Sequence, residues 1–193
     1  MTPPSAPGAP GALGRDPRPL VGEPLGLDLL NTIWVDGGVR HDLLADVDGL
    51  GVWLTAHGVD AEVPRSPATL AAVREARAAI AAHVDTADAP GARDGVNAIL
   101  ARGALARSLT EDGPVTVPQV DDPAQRPGWT AVESYLRLLE RDAGRVRACA
   151  HPDCVLHFYD TSRKGNRRWC SMAGCGNRAK AARHYARTRS SEG

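Results

Sequence analysis

Four cysteines, Cys149, Cys154, Cys170 and Cys175, fall within 27 residues in the spacing Cys-x4-Cys-x15-Cys-x4-Cys. Zinc takes four ligands in a tetrahedron, and thiolates suit it well. Two close pairs joined by a segment of hairpin length deliver that geometry with few residues. Each pair makes a turn that points both sulfurs inward. The competing reading is reduced thiols or a redox pair, and the x4 gaps argue against the tighter two-residue redox motif. A disulfide framework needs an oxidising compartment, and no secretory signal opens the sequence, so a cytoplasmic chain is expected. Four cysteines complete a structural site, so His151, His157 and His184 are not needed as ligands. A closed four-cysteine site also leaves no position for a catalytic water.

The elements around the cysteines follow from the residues between them. Val155, Leu156, Phe158 and Tyr159 form one arm of an expected hairpin, Ser162 to Asn166 its turn, and Trp169 ends the return arm. A helix is expected from Asn177 to about Thr188. A knuckle, a hairpin and a last ligand at a helix start describe a treble-clef-like finger. So small a unit has little core, and metal is expected to supply much of its folding energy.

Charge separates this module from the rest. Residues 145–193 hold eleven Lys or Arg against three acids, a net +8, and residues 1–144 carry the matching −8. Lys180, Arg183 and Arg187 recur at i, i+3, i+7 and share a helix face. Arg178 lies near the same helix end, and Arg163, Lys164, Arg167 and Arg168 sit on the expected hairpin tip and return arm. Together they can neutralise nucleic-acid phosphates or reach base edges. Two other uses are open: neutralising the thiolates, and docking on the acidic first part. No stretch reaches the ~18 apolar residues of a membrane span.

Residues 1–19 hold six prolines and read as a flexible tail, with 190–193 as a second one. Residues 20–144 read as a helical domain, so the fold class is mainly α with a small zinc finger at 145–189. Pro24 opens a helix over Leu25 to Trp34, with a buried strand as the competitor. Asp36-Gly37-Gly38 is a turn. Asp46 caps a helix carrying Leu50, Trp53, Leu54 and His57, which Gly58 ends. Asp42, Asp46 and Asp48 read as a solvated helix start rather than a site. Ser66-Pro67 starts a helix to about Val84. A further helix is expected from Arg93 to Leu109, with Leu109 inward. Val115 to Val117 reads as a short strand. Trp129, Val132, Tyr135, Leu136 and Leu139 line the next helix.

Arg168-Trp169-Cys170, Cys175-Gly176-Asn177-Arg178, Lys180 and Arg183-His184-Tyr185 resemble the CGNR zinc-finger family of bacterial proteins. Gly22 to Leu25, Leu27 to Thr32, Asp42 to Leu44 and Trp53-Leu54 resemble the ABATE-type domain that precedes this finger. The resemblance implies a stress-related transcription regulator that binds DNA, with the four cysteines as ligands of one structural zinc. Asn177 would cap or brace the knuckle, and Arg178 would contact thiolate or phosphate. Gly176 would ease the tight turn into the helix. Leu29 stands where relatives commonly carry an aromatic residue. Glu23, Asp28 and Asn31, polar among leucines, are either lining for a ligand pocket or caps and buried pairs. Trp34 and Trp53 read as core.

The leading expectation is therefore a zinc-dependent DNA-binding regulator whose helical domain senses a ligand or mediates assembly. An RNA-binding or protein-interaction module with purely structural zinc is the alternative. No nucleophile–base pair or carboxylate constellation supports an enzyme. One finger buries a modest interface, so specific DNA binding calls for a homodimer or DNA bending.

Overall fold

The computed structural model describes residues 16–59, 63–86 and 89–190. The tail expectations at 1–15 and 191–193 lie outside the described residues. Residues 16–19, expected to be tail, are instead held on the fold. Arg18 is buried, with its guanidinium between Asp16 and Asp28.

Pro24 precedes α1 (Leu25–Leu30), and its carbonyl accepts the N–H groups of Leu27 and Asp28. The helix is shorter than expected. After Asn31 and Thr32 the chain extends into β1 (Ile33–Asp36), turns at Gly37-Gly38, and returns as β2 (Val39–Asp42). Helix and strand, the two readings of this stretch, thus occur in succession. Trp34 stacks on His41 across the hairpin, 5.0 Å between ring centroids. Asp46 caps α2 (Val47–Ala56) by accepting the Gly49 N–H at 2.9 Å. Asp42 does more than sit at a helix start: its carboxylate takes both arms of Arg77 at 2.6 and 2.8 Å.

Ser66 Oγ accepts the Thr69 N–H at the start of α3 (Pro67–Thr86). The expected helix to Leu109 stops early, as α4 (Asp94–Leu100). Trp129 Nε1 donates to the Leu100 carbonyl and so satisfies one of the helix's last acceptors. The chain then forms an eight-residue hairpin, β3 (Gly103–Thr110) with β4 (Gly113–Val120). Leu109, expected inward, is 83% exposed on it. Leu105, Arg107 and Leu109 alternate with the small residues Ala104, Ala106 and Ser108, the period of a strand. The helix α5 (Arg126–Asp142) follows.

The core forms where α1, α3 and α5 meet. Leu27, Leu29, Val73, Ile80, Val132 and Tyr135 are buried there, and Trp53 and Leu54 close it from α2. At Gly26 the backbone of α1 comes so near α5 that an added Cβ would lie 2.7 Å from both the Ala131 carbonyl oxygen and Tyr135 Cβ.

A 3-10 turn at Ala143–Arg145 leads from α5 into β5 (Val146–Ala148), which pairs with β6 (His157–Tyr159). The hairpin expected within 155–169 is therefore displaced. Its first arm pairs backward, across the Cys149–Cys154 knuckle, with residues just after α5. Residues 160–169 return as a loop. A wide turn at Met172–Gly176 then enters α6 (Asn177–Ser190). The described chain is helix-rich with three two-stranded antiparallel sheets. Among the described residues, no helix is long and apolar enough to cross a membrane.

Candidate metal centre and basic surface

Each cysteine sulfur is delivered by a short, tied segment. The Cys149 N–H donates to the Leu156 carbonyl, and the Cys154 N–H to the His151 carbonyl, which closes the first knuckle. The Ala150 N–H donates to the Arg168 carbonyl and brings the second pair alongside. Ser171 Oγ accepts from the Gly174 N–H and shapes the turn that carries Cys175. All four sulfurs lie within 4.8 Å of one another, and none is in a disulfide. Cys154–Cys170 and Cys170–Cys175 sulfur separations are 3.7 and 3.6 Å. Zn–S bonds of about 2.3 Å in a tetrahedron place sulfurs about 3.8 Å apart, so the cluster fits one structural zinc. No histidine joins it among the described residues.

The crowded sulfurs shift one another's proton affinity. Cys154 has its pKa lowered, chiefly by the hydrogen bond from the Cys170 thiol. That same bond, with burial, pushes Cys170 up, and burial raises Cys149. Four thiolates in this space require a divalent ion, and a zinc held by four of them keeps a net negative charge. Arg178 meets part of it, since its Nη2 lies 3.0 Å from Cys175 Sγ. The Cys170 N–H approaches Cys149 Sγ at 3.4 Å. Of the two uses expected for Arg178, the structure gives the thiolate contact. Asn177 Nδ2 donates to the Ala173 carbonyl and braces the turn. Gly176 does not have positive φ. Its lack of a side chain makes room for Met172 and Trp169 instead, 2.9 and 3.4 Å from where a Cβ would stand.

The basic residues divide by what they touch. Arg167, expected on the nucleic-acid surface, is a strut. Its side chain donates to the Trp169 and Cys170 carbonyls, lies over the Phe158 ring at 4.1 Å and approaches Glu23 at 3.7 Å. Arg168 lies over Trp169. Lys180, Arg183 and Arg187 line one shallow cleft on α6, which places them on the common face their spacing predicts. Arg163 and Lys164 are exposed on the loop after β6. Among the described residues, Arg163, Lys164, Lys180, Arg183 and Arg187 have no acidic partner. Among the described residues, Arg145–Asp142 at 3.1 Å and Arg167–Glu23 at 3.7 Å are ion pairs that join the −8 and +8 parts. The side chains of His184, Tyr185 and Arg189 lie outside the described residues.

Glu23, Asp28 and Asn31 are each engaged by protein groups. The Asn31 amide pairs with the backbone of β6: Nδ2 donates to the His157 carbonyl at 2.9 Å, and Oδ1 accepts the His157 N–H at 2.8 Å. Glu23 accepts the Tyr159 N–H at 2.9 Å. Both extend the edge of β6, 126 and 136 residues away in sequence. Asp28 is fully buried and takes hydrogen bonds from Arg18, Trp53 Nε1, His57 Nε2 and the Gly22 N–H. Sequence reasoning gave Arg18 and Tyr159 no such role, because only the fold brings these distant segments together.

Residues 145–188 match the family model of the CGNR zinc finger. Residues 23–152 match the ABATE family, described as "Putative stress-induced transcription regulator". The two matches overlap at 145–152, which hold β5 and the start of the first knuckle with Cys149. No curated protein matches the chain significantly.

Proposed function

The chain belongs to the ABATE family and ends in a CGNR zinc finger, and from that premise we propose that it is a zinc-dependent, DNA-binding transcription regulator. The observation that carries this reading is the exposed face of α6. Lys180, Arg183 and Arg187 stand on it directly after the last zinc ligand, without acidic partners among the described residues. We read β5, β6, the two knuckles and α6 as a treble-clef-like finger. Zinc fixes the turn at Cys175 and with it the direction of α6. The cations then meet phosphates, and binding is driven largely by counterion release. Arginine on the helix also supplies the bidentate donors that read guanine in the major groove. Such a protein acts by binding and not by turnover. One finger alone covers a modest interface, so a dimer or bending of the DNA completes specificity.

The test is binding by zinc-loaded protein across a salt series, with duplex DNA, single strands and structured RNA side by side. The expected result is duplex preference, with log K falling linearly in log salt by roughly 0.9 per phosphate contacted. Changing Lys180, Arg183 and Arg187 together to Ala should flatten that slope by about 2–3 while zinc content stays unchanged. Preference for RNA would assign the finger to RNA. Absence of binding at low salt, with zinc bound, would leave a protein-interaction module.

A further inference from the structure

A second cationic site lies where the first domain meets the finger, on a cleft of about 390 Å³ lined by Arg141, Asp142, Arg145, Tyr159, Asp160 and Arg163 among others. Arg141 stands in the last turn of α5 and lies over the Tyr159 ring, 5.6 Å from its centroid. Arg145 fixes the opposite wall by donating to the Asp160 and Ser162 carbonyls at 2.7 and 2.9 Å. Arg163 is exposed on the loop above.

The two carboxylates of the cleft are already engaged. Asp142 takes Arg145 Nε at 3.1 Å. Asp160 is fully buried, and its two oxygens accept the Ser162 and Arg167 N–H groups at 2.8 Å each. Asp142 and the C-terminal end of α5 oppose an anion. Three guanidiniums thus face two carboxylates, a net +1 for the cleft, and Arg141 and Arg163 form no ion pair among the described residues.

A second observation is independent of charge. Tyr159 is 3% exposed, and its hydroxyl is buried with no hydrogen-bond partner among the described residues. Native proteins seldom leave a buried hydroxyl unpaired, and an unfilled ligand position is one physical reason for it. Here the unpaired donor belongs to a side chain that lines a cleft of net +1 in which two guanidiniums, Arg141 and Arg163, form no ion pair among the described residues.

We propose that this cleft binds a phosphoryl group, with Arg141 and Arg163 meeting its charge and the Tyr159 hydroxyl donating to one of its oxygens. Planar guanidiniums match phosphate oxygens in pairs, and a phosphoryl group offers acceptors enough for both and for the phenol. The group is either a backbone phosphate of bound nucleic acid or part of a small phosphorylated molecule. The site does not depend on which of these supplies it.

The experiment titrates inorganic phosphate into the zinc-loaded full chain at constant ionic strength, with 31P line broadening and calorimetry as readouts. Tyr159→Phe removes the hydroxyl and keeps the ring. Arg141→Gln with Arg163→Gln removes both charges at surface positions. Saturable binding is expected, weakened roughly tenfold by Tyr159→Phe and by at least as much in the double variant, since each loses charge-assisted bonds. Unchanged thermal midpoints would show that both variants fold. Absence of saturable binding, or binding that either variant leaves unchanged, overturns the proposal.

The salt series with duplex DNA separates the two sources. A slope lowered by about 1 to 2 in the double variant assigns the phosphoryl group to the DNA backbone. An unchanged slope with lost phosphate binding assigns it to a small molecule. Phosphate binding without any DNA binding would overturn the regulator reading and leave this site standing.

Discussion

Asn31 is fully buried and presents its amide to a strand edge as another strand would. Asn31→Ala strands both backbone groups of His157, each a buried donor or acceptor that costs about 1–3 kcal/mol when unpaired. The variant should unfold at lower urea, with the midpoint shift equivalent to about 2 kcal/mol, and it should lose zinc to a chelator faster because β6 is no longer held. Asp28 makes a different point. Burial alone would raise its pKa, but hydrogen bonds from His57 and Arg18 and the Arg18 charge outweigh that and hold it below the ordinary carboxylate value. A carboxylate lowered in the folded state contributes stability that is complete above its unfolded pKa, about 3.9, and lost as pH falls through the folded value. Wild-type stability should therefore decline below about pH 4. Asp28→Asn should flatten that decline. At pH 7 the variant should be less stable by about 3 kcal/mol, because the buried Arg18 guanidinium loses a counter-charge. Urea titrations at pH 3 and pH 7 measure both effects.

Glycine separates two kinds of close approach between elements. At Gly26 a methyl group meets the backbone of Ala131 and the Cβ of Tyr135, neither of which can retreat without moving α5. At Gly176 it meets the end of Met172, an exposed and flexible side chain. Gly26→Ala should destabilise by about 1–3 kcal/mol despite the better helix propensity of Ala. Gly176→Ala should change the thermal midpoint by a degree or two and leave zinc bound. Calorimetry on the two variants distinguishes them. The same elements show what the sequence made legible. Caps at Asp46 and Ser66 are local chemistry, and α2 and α3 start where those residues predict. The metal cluster is also local: four sulfurs within 27 residues declare their geometry by spacing. The β3–β4 hairpin was not legible because its strands are largely exposed, so no buried face imposes an apolar period on the sequence. The partner of β6 was hidden for a different reason. A three-residue strand directly after α5 has too few residues to show any period. Glu23 and Asn31 looked like site residues because burial among leucines is visible in sequence, whereas a backbone partner more than 120 residues away is not.

At the scale of the whole molecule the finger and the helical part share a core. Leu156, Phe158 and Tyr159 pack in the same buried cluster as Leu27, Trp53 and Val132. The ABATE match running through Cys149 agrees with that continuity. Metal and helical core should therefore be coupled. Zinc sites of isolated fingers supply on the order of 10 kcal/mol, comparable with the whole stability of a typical domain, about 5–15 kcal/mol. Chelation should thus unfold the finger and uncover α1, where β6 now seats Phe158 and Tyr159. Burial of such side chains is worth about 1.5–3 kcal/mol each. For a chain of this length, losing several of them lowers the thermal midpoint by roughly 10 °C. A Trp169→Phe variant makes the measurement specific, because the remaining tryptophans, Trp34, Trp53 and Trp129, all lie outside the finger. Their emission, followed during heating with and without chelator, should show one transition that moves down when zinc is removed. A midpoint that stays in place would mean that the finger is a separate unit resting on the helical part, and that Asn31, Glu23 and the shared core carry no coupling between metal and helices.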